Sequence, residues 1–221
     1  MANEPGTGPD DVTSLIIVGA GNAAREVLQI AKSVNSVRRR WDIRGFLCDI
    51  DSNIEALTGG DYRVLGSIRD WRPQPDQEFL CAIADPHGRK EVVASLKDRG
   101  ARFCTLIDPR ARLADYCLIG EGVLIYPCVE IWPNVRIGDF ALLQSSIAHD
   151  CVLGDYVTVS GGVNVCGAVR IESGAFIASG ATIVPHKTIG SGAYVGAGSV
   201  VIRSVAANSR VFGNPARRLE V

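Results

Sequence analysis

The chain has 221 residues, 47% hydrophobic and 21% charged, with a formal net charge of −1. This composition suits a folded protein of one or two domains with a real core. The mixed, near-neutral charge excludes a broad basic field for nucleic acid, and no apolar run approaches the ~18 residues of a membrane span. The implied partners are small molecules or other copies of the chain.

The opening MANEPGTGPDDV is rich in Gly, Pro and Asp, and residues 1–13 are expected to form a flexible tail. From Ser14 to about Asp108 strands and helices alternate. SLIIVG is a β-branched run, NAAREVLQIAKSV has the apolar spacing of a helix, and DIRGFLCD, EFLCAIA and RFCTLID read as further strands. HGRKEVVASLKDRG fits a second helix with Gly100 as its stop signal. The expected unit, residues 14–108, is a small parallel α/β domain of three or four strands. In such sheets ligands sit at the carboxyl ends of the strands, here near Gly19 to Ala24, Cys48 to Asp51 and Ala84 to His87.

The second half changes period. Leu113, Ile119, Ile125, Ile131, Ile137 and Leu143 are six apart, and so are Leu153, Val159, Val165, Ile171, Ile177, Ile183, Ile189, Val195 and Val201. This hexapeptide repeat is the signature of a parallel β-helix, with three hexapeptides closing one triangular coil. Glycines at corners needing positive φ should recur every eighteen residues, as Gly162, Gly180 and Gly198 do, and also Gly174 and Gly192. Residues 109–205 are expected to make about five coils, and residues 206–221 a tail packing on the β-helix.

Between Leu143 and Leu153 the frame jumps by ten. Ile147 belongs to both series, so the new frame starts there, and His149 and Asp150 fall at a corner. One reading is a histidine satisfied by local hydrogen bonds. The other is a catalytic side chain facing a cleft shared with the next subunit. Gly19-x-Gly21-x-x-Ala24 follows a strand and opens a helix, as a dinucleotide fingerprint does, with Asp49 as a possible ribose partner. About ninety residues hold only half of a dinucleotide fold, which favours a mononucleotide over a dehydrogenase.

The order IIVGAGNAAREV, GFLCDID, FLCAIADPHGR, TLIDPRA, IAHDCVLGD and VFGNPARRL resembles the bacterial nucleotide-sugar acetyltransferases. These include the bacillosamine and perosamine N-acetyltransferases and the sialic acid O-acetyltransferases of the hexapeptide-repeat superfamily. The resemblance implies a Rossmann-like N-terminal domain, a left-handed parallel β-helix, a homotrimer with active sites between subunits, and acetyl-CoA and a nucleotide-sugar as ligands. It places His149 as general base, Asp150 as its partner and Gly167 as oxyanion donor. Ser179 and Ala197 fall along the pantetheine of the cofactor, and Arg203, Arg210, Arg217 and Arg218 near its phosphates. The mononucleotide reading of the first domain puts Gly19, Gly21 and Asn22 near the sugar or phosphates, Asp49 near the base or ribose, and Asp85 at the mouth. Each has a plainer reading beside it: a solvated Asp150, a turn glycine at 167, a basic surface, a strand-end or turn residue.

Departures occur at GAGNAAR, Cys48-Asp49 and Asp108-Pro109. The expected reaction is acetyl-CoA-dependent N-acetylation of a nucleotide-linked amino-sugar, with UDP favoured, for surface glycan synthesis. Its rivals are a GDP-linked substrate, a hydroxyl acceptor, and a trimeric scaffold that binds a nucleotide without catalysis. Histidines 87, 149 and 186 invite a zinc reading, but such sites need a closely spaced pair plus a third, so no metal is expected. Seven cysteines scattered without a CxxC pair or a signal-peptide pattern imply reduced thiols and a cytoplasmic location.

Overall fold

The computed structural model describes residues 12–219; most of the expected N-terminal tail lies outside the described residues. The first half folds as β1 (Thr13–Val18), α1 (Asn22–Val37), β2 (Trp41–Leu47), the single turn α2 (Ile54–Leu57), β3 (Val64–Gly66), β4 (Gln77–Cys81), α3 (Pro86–Lys97) and β5 (Arg102–Phe103). All pairings in this sheet are parallel, in the order β3-β2-β1-β4-β5. Five strands replace the expected three or four, because the three-residue β3 is too short to show a period. The run RFCTLID divides: Arg102–Phe103 completes the sheet, and Leu106–Ile107 is already a rung of the next domain.

The strand order reverses between β1 and β4, so the crevice for a ligand lies over their carboxyl ends. Three strand ends meet there. The Gly19 N–H donates to Leu47 O at 2.8 Å, and a Cβ on Gly19 would come within 3.2 Å of Ala82 O. With φ of +104°, position 19 also favours glycine conformationally.

From Leu106 onward two-residue strands stack as three parallel faces of a β-helix. Face one carries Ile107, Ile125, Leu143, Val159, Ile177, Val195 and Val211. Face two carries Leu113, Ile131, Ile147, Val165, Ile183 and Val201. Face three carries Ile119, Ile137, Leu153, Ile171, Ile189 and Val205. The predicted aliphatic of each hexapeptide is the second residue of its strand. Most point inward and are fully buried, while Leu113 at the open lower end is 43% exposed. The predicted corner glycines have φ of +72° at 162, 174 and 180, +63° at 192 and +66° at 198. The helix is longer than the expected five coils, since it starts at Ile107 and continues through Val205 and Val211. The tail turns back only afterwards, when Arg217–Arg218 pairs antiparallel to Arg210–Phe212.

Ile147 bridges Ile131 below and Val165 above. Around it the rungs pair sixteen residues apart, Arg136 with Val152 and Leu142 with Thr158, against eighteen for Val152 with Arg170. The four-residue jump therefore shortens one coil without breaking a stack. A second such jump, from Val201 to Val205, repeats the shortening, with Ile189 bridging Val205 and Tyr194 pairing with Arg210.

The two domains share buried contacts. Arg89 on α3 is 1% exposed and donates to Ile83 O and Ala84 O in its own domain. It also donates to Phe140 O, Tyr156 O, Val157 O and the Thr158 hydroxyl of the β-helix. Burial pulls its guanidinium below the usual range, and among the described residues its hydrogen-bond acceptors are carbonyls and a hydroxyl, with no carboxylate. On the other side, Leu124 and Leu142 of face one share an apolar cluster with Val27 and Ile30 of α1.

Candidate active site

The shortened coil turns a corner between faces two and three, and residues 148–151 form it. Asp150 has φ of +61°, a left-handed conformation that brings two consecutive side chains to the same side. The His149 Nδ1 lies 2.7 Å from Asp150 Oδ2. A carboxylate only accepts, so in the neutral ring Nδ1 carries the proton and Nε2 the lone pair. Hydrogen bonds from His149 and then from Asn134 hold the Asp150 carboxyl below the usual carboxylate range. The His149 side chain is 63% exposed, so within one chain its outer side has no wall.

Asn134 was not singled out from the sequence. Its Nδ2 donates to Asp150 Oδ1 at 3.1 Å, so the two carboxylate oxygens have different partners and the group is fixed. It lies sixteen residues before Asp150, one shortened coil below, with the same left-handed φ of +61°. The coil length is the signal that would have found it.

Gly167 lies one coil above His149. A Cβ there would fall 2.6 Å from His149 Cε1 and 2.7 Å from Nε2, so only glycine lets the ring occupy its place. Ala168 N donates to His149 O and Gly167 O accepts from His186 N. Among the described residues the Gly167 N–H has no protein acceptor. Residues 149, 167, 185 and 203 are stacked eighteen apart, which puts Arg203 on the same corner, about 14 Å up the axis by three strand spacings. His186 is exposed at this corner too, in the column of Asp150 rather than of His149.

The other predicted cofactor residues are elsewhere. Ser179 and Ala197 are exposed on the corner between faces one and two, joined by Gly198 N donating to Ser179 O. This corner and that of His149 flank face two on opposite sides, so no single chain brings them together. Ser179 lines a cleft of about 550 Å³ against α1, with Glu26, Gln29, Tyr126 and Gln144. Arg217 and Arg218 are exposed on the final hairpin, and Arg210 is exposed beside Asp85 and Lys90 on the far side of the molecule.

The nucleotide candidates divide by what already occupies them. Gly21 is the N-cap of α1 and gives it no side-chain cap, so the first N–H groups have no side-chain acceptor among the described residues, and Asn22 accepts from Arg25 at 2.6 Å. Asp85 caps α3 by accepting from Gly88 N at 2.7 Å, which gives it a structural task. Asp49 Oδ1 accepts from the Ser67 hydroxyl and from Arg69 N. Partial burial raises the Asp49 carboxyl, but these bonds and the Arg69 charge outweigh it and hold the group low. All seven cysteines are free, and Cys151 donates to Cys166 O next to the His149 corner.

Residues 14–96 match the family described as PglD N-terminal domain. The GDP-perosamine N-acetyltransferase of Escherichia coli O157:H7 is 35% identical over 159 residues, which is 71% of each chain. The chain is also similar to PerB from Caulobacter crescentus, solved in complex with CoA and GDP-perosamine. That match has a TM-score of 0.83 and 25% identity, and covers 94% of this chain and 97% of that one. WeeI from Acinetobacter baumannii AYE superposes with a TM-score of 0.80 at 32% identity, over 93% and 99% of the two chains. A Rossmann-like domain followed by a hexapeptide β-helix with a histidine–aspartate corner, matched over most of its length by these relatives, belongs to the nucleotide-sugar N-acetyltransferase family.

Proposed function

We propose that the protein transfers the acetyl group of acetyl-CoA to the amine of a nucleotide-linked amino-sugar, with His149 as general base. The observation that carries this reading is the corner itself: an imidazole oriented by a carboxylate, packed against a glycine whose N–H is free of protein acceptors. The amine nitrogen attacks the thioester carbonyl carbon, forming a C–N bond and a tetrahedral intermediate whose collapse breaks the C–S bond. Nε2 of His149 takes the amine proton, and Asp150 stabilises the imidazolium. The Gly167 N–H receives the oxyanion of the tetrahedral intermediate. The proton then passes to the departing CoA sulfur. Arg203, three coils along the same corner, is placed for the phosphate end of the cofactor.

The sugar nucleotide is held by the first domain. The uncapped N-terminus of α1 behind Gly19, Gly21 and Asn22 suits the diphosphate. Asp49 keeps Oδ2 for the nucleoside. The nucleotide is guanosine diphosphate, a reading supported by the perosamine enzymes among the relatives over the uridine favoured by the sequence.

The working unit is a homotrimer. The exposed outer side of His149, the separation of Ser179 and Ala197 from it across face two, and the exposed Tyr116, Leu118 and Trp132 beside the same corner all support a site closed by a neighbour. The product is an acetamido sugar for surface glycans, made in the cytoplasm. The test offers GDP- and UDP-linked amino-sugars with acetyl-CoA, following free thiol release and product mass. Acetylation of GDP-perosamine with a trimer mass in solution is expected. Turnover of hydroxyl acceptors alone, or of no acceptor, contradicts the reading.

A further inference from the structure

The cleft between α1 and the corner of faces one and two contains one carboxylate, Glu26, which the sequence pattern did not single out. Both neighbouring donors bind the same oxygen of it. The Tyr126 hydroxyl donates to Glu26 Oε2 at 3.0 Å, and Gln144 Nε2 donates to Oε2 at 3.2 Å. Two donors from the β-helix thus fix a carboxylate carried by the first domain, and among the described residues Oε1 has no donor, in a cleft of about 550 Å³. Gln29 and Ser179 line the same cleft.

We infer that Glu26 is a sugar-recognition residue, accepting through Oε1 a hydrogen bond from a hydroxyl of the substrate's sugar ring. This deepens the functional reading above and rests on it. A carboxylate beside carboxamides, a hydroxyl and an aromatic ring is a hydrogen-bonding set suited to a polyhydroxylated ring, and the one cation of the lining, Arg110, is already paired with Asp108. The location agrees: Glu26 is one helical turn, about 6 Å, beyond Asn22, so a diphosphate at the start of α1 leaves its sugar alongside Glu26. Ser179 in the same cleft is a residue that the family resemblance places along the thioester arm, so in the proposed trimer the sugar amine and the acyl donor meet there, where the His149 corner of a neighbouring subunit closes the site.

The test separates sugar from nucleotide. Calorimetric titration measures GDP-perosamine and GDP binding to the wild type, E26Q and Y126F, each first checked for unchanged thermal midpoint and assembly mass. E26Q keeps the shape and an acceptor for Tyr126 while removing the charge. The expected result is GDP-perosamine binding weakened about 10- to 100-fold in E26Q, the range of one hydrogen bond to a charged group. GDP binding stays within about twofold. Y126F, which frees the pinned oxygen, shifts the sugar affinity in the same direction by less. Equal weakening of both ligands, or unchanged GDP-perosamine binding, overturns the assignment. If the wild type binds GDP and not GDP-perosamine, the functional reading itself fails; if it acetylates GDP-perosamine while E26Q keeps the wild-type KM, only the role of Glu26 fails.

Discussion

Arg89→Met tests whether one buried guanidinium couples the two halves of the molecule. Phe140 O, Tyr156 O and Ile83 O each accept from Arg89, and these three carbonyls have no other protein donor among the described residues. Leaving a buried carbonyl unsatisfied costs about 1–3 kcal/mol, and the part-buried Tyr156 and Ile83 carbonyls fall toward the low end of that range. Part of this is returned, because the charge no longer has to be desolvated, a cost already visible in the lowered guanidinium pKa. The net loss is about 3–5 kcal/mol, comparable to breaking a buried charged contact. For a chain of this length each kcal/mol lowers the thermal midpoint by roughly 2–4 °C, so a fall on the order of 10 °C is expected in differential scanning calorimetry. Arg89→Lys should recover only part, since a compact ammonium has three donors and no planar fork. The first domain and the β-helix should also begin to melt as separate transitions in Arg89→Met. A midpoint within about 2 °C of wild type would refute the claim that this side chain joins the domains.

Gly167→Ala should displace the His149 ring, because its Cβ would lie 2.6 Å from Cε1, and steady-state kinetics should give kcat reduced at least about 10²-fold. Asn134→Ala should free one oxygen of Asp150 and lower kcat about 3- to 30-fold with the KM for acetyl-CoA unchanged; an equal effect on stability and no effect on kcat would make it a corner residue only. Burial pushes the Cys81 thiol up to about 11, partly offset by the Arg89 charge. The native state therefore holds a proton that the unfolded chain releases first, so this contribution is intact below about pH 9 and is lost as pH rises toward 11. Urea midpoints measured across that window should fall, and should fall less in Cys81→Ala.

The β-helix was legible because each inward aliphatic must stack on its equivalent, which imposes a period that no other element has. Ile147 could be identified as the joint for the same reason: it alone fits both frames. The second jump, at Val205, escaped because its corner holds Ala206, Ala207 and Asn208, with no reactive side chain to draw attention. Ile107 escaped because the run before it reads as a continuous strand. Arg89 was illegible in principle. An arginine on an amphipathic helix reads as solvated, and its acceptors on the β-helix lie fifty or more residues away, where only the folded corners present them. Asp85 shows the converse: an acid at the mouth of a strand was read toward a ligand, and the fold uses it to cap a helix. Glu26 and Asn134 depend on partners about 100 and 16 residues away, so their roles appear only when the coils are stacked.

The proposed reaction depends on His149 as its base. Purified His149→Ala and wild-type protein, given GDP-perosamine and acetyl-CoA, should differ in kcat by on the order of 10²–10⁴ in thiol release while both KM values stay within about threefold. A variant with wild-type kcat would contradict the assignment and return the His149–Asp150 corner to a purely structural role.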